Sequence, residues 1–219
     1  RFREKYNFNL LQGQVHCMEE SIKKKNKVCV RILQFKHREQ FKRRLENYYK
    51  SDIVIIKTRW SDKDVKSLDS LLKFFKKDNK QILVFSSNPE FNFTKTYSNE
   101  LKTENILKKI LYQKSDYIDR FIISKNRMPN DNEIKKINNN YFLSLNNEIL
   151  KRDKMIEKIS SENNIKYFDF KNLICNFKEQ ECTDLTFSKK KVYTDKSGHL
   201  STDASRETSN QIFDNGIMN

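Results

Sequence analysis

The stretch Ser51–Trp60, SDIVIIKTRW, decides the fold that this sequence predicts. Its centre, residues 53–56, is an unbroken run of β-branched side chains, Ile-Val-Ile-Ile. A short continuous apolar run of this kind is typical of a strand that is buried on both faces, as in the parallel sheets of α/β proteins. The stretch therefore predicts a strand inside a parallel sheet, and polar residues follow it at once.

The segment after this strand, residues 61–77, has the pattern of an amphipathic helix. Ser61 is a natural N-cap, and Asp62 and Asp64 lie in the first turn, where the helix dipole favours negative charge. One helical face is apolar and is expected to pack on the sheet. That face comprises Val65, Leu68, Leu71, Leu72 and Phe75.

Strand-like and helix-like segments continue to alternate on both sides of this unit. Residues 8–14, 81–85 and 165–170 have the composition of strands, and residues 37–50 have a helical pattern. Each predicted strand is short and apolar, and polar or turn-forming residues bound it. The pattern is that of repeated strand-helix units.

A long helical pattern runs from about residue 103 to residue 163. Pro129 and Asn130 predict a break in it, after which Asp131 is expected to cap a second helix. A further helix is predicted after His199. The buried stripe of the second helix is expected to consist of Phe142, Leu145, Ile149, Ile156 and Ile159.

This alternation predicts an α/β fold, a three-layer α/β/α sandwich with a parallel central sheet, as a single domain over residues 1–219. Ligands of such sheets bind beyond the carboxyl ends of the strands. The loops after Gly13, Ile56, Phe85 and Phe170 are therefore expected to carry the functional site.

The charge of the chain is strongly positive, since 44 Lys and Arg residues against 29 Asp and Glu residues leave +15. Such a charge attracts polyanions or keeps a chain soluble. The basic residues are spread along the whole length, which disfavours a dedicated nucleic-acid patch. A basic nucleic-acid-binding module without enzymatic activity stays the alternative class of function.

Membrane-crossing and secretory segments are absent from these residues, because no apolar run approaches the roughly 18 to 20 residues that span a bilayer. The chain begins at Arg1, without Met, in a segment typical of a helix end that leads into a strand. We therefore expect the natural N-terminus to lie further upstream.

The four cysteines form two local pairs, Cys17 with Cys29 and Cys175 with Cys182. Neither spacing is that of a zinc site, so no metal site is predicted. Two short-loop disulfides are favoured, which places the chain in an oxidising compartment. Buried free thiols are the alternative.

The stretch Val192–Ser205, VYTDKSGHLSTDAS, contains the pattern with most chemistry, Asp195 followed by His199. A serine-dependent transferase or hydrolase needs such a pair, because the imidazole takes the proton of a hydroxyl and the carboxylate orients the imidazole. From the spacing alone, a surface turn is the favoured explanation of the pair.

Four stretches in the same order resemble one family. The segments 51–60, 82–91, 173–182 and 192–205 are similar to the strand ending in Arg-Trp, the strand ending in Pro-Glu-Phe, the Cys pair and the final Asp-His block of an SGNH hydrolase-like domain. That domain is fused to membrane acyltransferases of family 3, which O-acetylate surface polysaccharides. The resemblance implies the SGNH or flavodoxin-like version of the sandwich.

By this resemblance, His199 is the general base and Asp195 its orienting carboxylate. The chain departs from the family pattern in having three residues between them instead of two. The nucleophilic serine of the family, in a Gly-Asp-Ser segment after the first strand, is not in the sequence. The resemblance thus implies a domain that lacks its first strand and nucleophile segment, with the serine upstream. Three serines near the expected site loops, Ser86, Ser87 and Ser201, have the context of turn or cap residues instead.

The resemblance also suggests where a developing oxyanion is stabilised. Gly13 is a candidate backbone donor, and Thr58 or Arg59 stands where many SGNH enzymes have an asparagine. Trp60 is a candidate floor for a sugar cleft. Each has an ordinary structural interpretation too: Gly13 as a strand end, Arg59 as an ion-pair partner and Trp60 as a core residue.

The function implied is extracytoplasmic O-acetyl transfer to hydroxyls of a surface polysaccharide or lipopolysaccharide, without cofactor or metal. The implied partners are an integral-membrane acyltransferase domain upstream in the same polypeptide, which tethers the chain to the membrane, and a glycan acceptor, to which the positive charge is suited if the glycan is anionic. A carbohydrate esterase and a catalytically inactive glycan-binding domain are the alternatives within this fold.

Overall fold

A computed structural model describes residues 15, 17, 18, 46–92, 116–186, 190–193 and 200–214, with the side chains of 212–214 excepted. The chain forms two compact units. The first comprises residues 1–87 and 151–168, and the second comprises residues 88–150 and 169–219. The single domain expected over residues 1–219 stays a prediction.

The first unit contains a parallel sheet of three strands, in the order β1 (Ile53–Ile56), β2 (Gln81–Phe85) and β3 (Lys166–Phe168). Ile53 pairs with Gln81 and Val84 pairs with Tyr167, so all three strands run in the same direction. The helix α1 (Asp62–Lys77) connects β1 to β2. The α/β fold and its parallel sheet are therefore confirmed. The predicted strand over residues 8–14 lies outside the described residues.

The expected burial on both faces holds for β2 and not for β1. In β2, every residue after Gln81 is buried. In β1, Ile53 and Val54 are half-buried and Ile55 is 37% exposed. A β-branched run thus marks a strand reliably, while its depth in the sheet depends on which elements cover it.

The helix α1 forms as its sequence predicts. Ser61 accepts a hydrogen bond from the backbone N–H of Asp64, and the Asp64 carboxylate accepts one from the N–H of Ser61, which completes a capping box. The five residues of the predicted apolar stripe are all buried. They join Trp60, Tyr48, Ile82, Val84 and Ile156 in the core of the first unit.

From residue 116 onward, where the structure describes the long helical region, it contains three helices, α2 (Tyr117–Lys125), α3 (Asp131–Leu143) and α4 (Asn147–Glu162). Residues 103–115 of the predicted region lie outside the described residues. The break at Pro129 is present, but Asn130 and not Asp131 is the N-cap of α3, because the Asn130 side chain accepts the Glu133 N–H. Residues of α4 from Lys151 onward belong to the first unit.

The second break, at Ser144–Asn146, was not predicted. Leu145 forms an antiparallel bridge with Phe91, and the Asn146 N–H donates to the carbonyl of Glu90. These bonds replace helical bonds, so a tertiary contact interrupts what the sequence presents as one apolar stripe.

The remainder of the second unit contains the 3-10 helix Phe170–Leu173, the hairpin strands β4 (Cys175–Asn176) and β5 (Glu181–Cys182), and the helix α5 (Thr202–Asp214). The helix expected after His199 is thus confirmed. Within the described ranges, no helix combines the length and the apolarity that crossing a bilayer requires.

Candidate functional site

The loop after β1 is tied to the end of β2 at the carboxyl edge of the sheet. The Lys57 ammonium donates a hydrogen bond to the carbonyl of Ser86 (2.8 Å), and the Trp60 indole N–H donates one to the carbonyl of Phe85 (3.0 Å). Thr58 is half-buried and Arg59 is exposed. Lys57 and Trp60, on either side of Thr58 and Arg59, therefore anchor to the end of β2 the loop that the resemblance assigns to oxyanion stabilisation.

Trp60 itself is a core residue. Its side chain is 2% exposed and packs in the apolar cluster of the first unit, so its ring has no face open to a sugar. Of the two roles that the sequence left open, the structure favours the core role.

Ser86 and Ser87 are buried residues that follow β2 directly. The Ser86 N–H continues the sheet by donating to Phe168, and its hydroxyl donates to the Ser87 carbonyl (3.0 Å). The Ser87 N–H donates to the buried carboxylate of Asp153 (2.9 Å). Neither serine is in a turn or caps a helix; their hydrogen bonds hold the segment after β2 in place.

In the second unit, residues 190–193 and 200–201 meet as two short extended segments. The Val192 N–H donates to the Asp184 carbonyl (2.7 Å), and the Ser201 N–H donates to the Val192 carbonyl (2.7 Å). Tyr193 and Leu200 form an antiparallel bridge. We call residues 191–193 with 200–201 the loop neck, because they close the connection 194–199.

Asp195 and His199 belong to that connection and lie outside the described residues. Gly13 and Cys29, elsewhere in the chain, also lie outside the described residues. The loop neck nevertheless fixes the two ends of a six-residue connection opposite each other. The two residues that flank the segment with the predicted pair, Tyr193 and Leu200, are thus paired with each other.

Ser201 is part of the loop neck. Its hydroxyl donates to the carbonyl of Lys191 (2.6 Å) and accepts the N–H of Ala204 in the first turn of α5 (3.1 Å). The side chain thus caps the helix and joins it to the incoming segment, which is the cap role expected from the sequence.

Asp184 is a residue that the sequence analysis missed. Its carboxyl is 3% exposed, and its two oxygens accept the N–H of Tyr193 (3.3 Å) and the hydroxyl of Tyr141 (3.2 Å). Burial, reinforced by the negative charge of Asp116, raises its pKa to about 7 although Lys191 opposes the shift. A lone Asp after Cys182 carries no pattern that would have identified it.

Charged and aromatic side chains surround this carboxyl. The Lys191 ammonium forms ion pairs with Asp116 and Asp119. The rings of Tyr117 and Phe91 both contact Tyr141, and Phe91 also contacts Tyr193. The Tyr193 hydroxyl is buried and has no hydrogen-bond partner among the described residues. Asp184 is therefore a buried carboxyl among charged and aromatic side chains.

The disulfide Cys175–Cys182 that the sequence predicts is present and joins β4 to β5. Cys17 is buried and disulfide-bonded. In the described part of the chain, no group of three or more His, Cys, Asp or Glu side chains is placed to hold a metal ion.

Comparisons with known proteins agree with this architecture. The family model of the SGNH domain fused to AT3 domains matches residues 18–213. The periplasmic domain of a lipopolysaccharide acetyltransferase from Salmonella ser. Paratyphi A has a similar fold, with a TM-score of 0.53 and 17% sequence identity. The match covers 81% of this chain and 62% of that one, so this chain spans less than two thirds of its neighbour. No curated protein matches the chain.

Proposed function

Because this chain belongs to the family of SGNH domains that are fused to AT3 domains, we propose that it is the extracytoplasmic part of an O-acyltransferase. Its reaction is the transfer of an acetyl group to a hydroxyl of a surface polysaccharide or lipopolysaccharide. Family membership supports acyl transfer as the class of reaction. The acetyl group and the glycan acceptor are the finer parts of the proposal.

The observation that carries the proposal is the loop neck. The bridge between Tyr193 and Leu200 closes a short connection that contains both Asp195 and His199. This pairing of the flanking residues supports a functional role for the segment between them, in which His199 is the base and Asp195 its orienting carboxylate.

In the proposed mechanism, His199 takes the proton from the hydroxyl of a serine upstream of this chain while the serine oxygen attacks the acetyl carbonyl of the donor. The donor leaving group departs with that proton, and an acetyl-serine ester remains. The acceptor hydroxyl then attacks the ester, His199 takes its proton, and the serine oxygen leaves and recovers a proton from His199. Asp195 holds the imidazole in the required tautomer and stabilises the imidazolium.

The negative charge that develops on the acetyl oxygen needs donors that are already in place. We assign this role to the backbone of Gly13 and to Thr58 or Arg59. Thr58 and Arg59 follow β1 at the carboxyl edge of the sheet, in the loop that Lys57 and Trp60 anchor to β2. A loop held in this way loses little entropy when it binds the oxyanion.

The fusion that defines the family supports a partner in the same polypeptide, an integral-membrane AT3 domain that supplies acyl groups. With that domain in the membrane, the SGNH domain lies on the extracytoplasmic side. The Cys175–Cys182 disulfide supports this placement, because disulfides persist in oxidising compartments.

The test uses the full-length polypeptide that contains this chain and measures acetyl groups on its glycan. We expect His199→Ala to lower acetylation by about 100-fold or more, the usual contribution of a general base. His37→Ala, at a histidine outside the motif, is the matched control and should retain wild-type acetylation.

Unchanged acetylation in His199→Ala would remove the catalytic interpretation and favour a glycan-binding domain. Loss of acetate from an acetylated glycan, without transfer to a new hydroxyl, would assign the same site to an esterase. Steep salt-dependent binding of DNA or RNA, with no acetyl transfer, would favour a nucleic-acid-binding module.

A further inference from the structure

Asp184 holds the segment that leads into the connection 194–199 by both its backbone and its side chain. Its carbonyl accepts the Val192 N–H (2.7 Å), and its carboxyl accepts the Tyr193 N–H (3.3 Å). The next residue, Leu185, bridges Lys191. Two consecutive residues of the loop neck thus depend on one aspartate.

The carboxyl also connects the loop neck to helix α3. Its second oxygen accepts the hydroxyl of Tyr141, which is itself fully buried in the second unit. Tyr141 lies on a helix whose ends are fixed by the Asn130 cap and by the break at Ser144. Asp184 therefore links Tyr193, the residue before the connection, to helix α3.

The position of Tyr193 matters because it is paired with Leu200. Leu200 follows His199 directly in the sequence, so a shift of Tyr193 is passed to the residue beside the proposed base. A misplacement of about 1 Å at a reacting group costs up to about 100-fold in rate. A residue that fixes this pair is therefore a candidate for affecting the rate without touching the substrate.

We propose that Asp184 is a positioning residue of the acyltransferase, whose carboxyl sets the register of the loop neck and with it the placement of His199. The inference rests on the proposed function for its effect on catalysis. The expected effect of Asp184 on the placement of His199 depends only on the loop neck and not on the proposed function.

A purely structural role explains the position less well. A buried carboxyl carries a desolvation cost, and an apolar residue of similar volume would avoid it. Here the cost is increased, since Asp116 lies near enough to raise the pKa of Asp184 and the ammonium of Lys191 is shared with Asp116 and Asp119. What the carboxyl supplies in return is one acceptor for Tyr193 and one for Tyr141, on two different elements.

The experiment compares three substitutions in the full-length protein. Asp184→Ala removes both side-chain acceptors, whereas Asp184→Asn keeps an acceptor for Tyr193 and places an amide against Tyr141. Asp64→Ala is the matched control. Asp64 lies in the first unit, and it is a buried aspartate whose carboxyl accepts two hydrogen bonds from Ser61. Any loss that comes from general destabilisation should appear in Asp64→Ala as well.

Two readouts are measured, acetyl transfer and the rate at which diethylpyrocarbonate modifies each histidine, followed by mass spectrometry. We expect Asp184→Ala to lower kcat by about 10-fold or more, with the acceptor KM within about 2-fold of wild type, the pattern of lost positioning. The modification rate of His199 should change relative to that of His37. Asp184→Asn should restore both quantities to near wild type.

The inference would be overturned by wild-type kcat and an unchanged His199 modification rate in Asp184→Ala, or by equal losses in Asp184→Ala and Asp64→Ala. Failure of the proposed function has a different signature, since His199→Ala would then keep acetyl transfer. In that case the His199 modification rate still decides whether Asp184 positions the loop neck.

Discussion

The indole N–H of Trp60 donates a 3.0 Å hydrogen bond to the carbonyl oxygen of Phe85, and this bond joins the loop after β1 to the end of β2. The two strands are neighbours in the sheet, and the bond lies at their carboxyl edge. From inside the core, Trp60 thus holds the loop that carries Thr58 and Arg59.

Trp60→Phe removes this bond and part of the buried ring, so it also leaves a small cavity in the core. Since the Phe85 carbonyl is buried, the unsatisfied acceptor should lower the free energy of unfolding by about 1 to 3 kcal/mol, and the cavity should add to this loss. Urea denaturation measures this change. An acceptor KM that rises while the stability stays at the wild-type value would instead indicate a sugar-binding face.

The capping box of α1 gives a second prediction. Ser61→Ala removes the side-chain acceptor of the Asp64 N–H, so the free energy of unfolding should fall by about 1 kcal/mol. Ser161→Ala, at an exposed serine near the end of α4, is the matched control and should change stability by less than about 0.5 kcal/mol. Equal effects of the two substitutions would contradict the capping role.

Local sequence patterns predicted the secondary structure that forms within a single segment of the chain. The strand at residues 53–56, the helix α1 with its cap, and the helix after the Asp-His motif each follow from propensity and periodicity within one window. The break at Leu145 could not be read in this way, because it arises from the bridge to Phe91, which is distant in the sequence.

The same distinction applies to the candidate site. The Cys175–Cys182 pair and the block around His199 were visible because their residue types and spacing have chemical meaning. Asp184 was not visible, because its role arises from its hydrogen bonds to Tyr141 and Tyr193, and no pattern of one residue predicts such a meeting. The choice between a core role and a sugar-binding role for Trp60 likewise required knowledge of its tertiary contacts.

The raised pKa of Asp184 predicts how stability changes with pH. In the unfolded chain the pKa is near its ordinary value of 3.8, and in the folded protein it is about 7. Between these values the folded protein binds more protons, so stability should decrease as the pH rises, by at most about 1.4 kcal/mol per pH unit for one group. Urea denaturation from pH 4.5 to pH 7.5 measures the slope.

Asp184→Asn tests the origin of this slope, since the amide does not titrate. The variant should show a smaller decrease in stability over the same pH range than the wild-type protein does. A slope that is identical in the two proteins would assign the pH dependence to other groups.

The disulfide gives the last prediction. Cys175 and Cys182 are paired residues of the β4–β5 hairpin, with a sequence separation of 7, so their cross-link closes a short loop. For a loop of this length the entropy model gives about 2.5 kcal/mol, and we expect the Cys175→Ser, Cys182→Ser double variant to lose about that much free energy of unfolding. Non-reducing peptide mapping confirms the linkage in the wild-type protein. The double variant is preferable to reduction with a thiol, because Cys17 is also disulfide-bonded and would be reduced at the same time.

Since Asp184 follows Cys182 by two residues, kcat should also fall if the hairpin holds Asp184 in place; a full loss of stability with unchanged kcat would show that Tyr141 and the loop neck suffice.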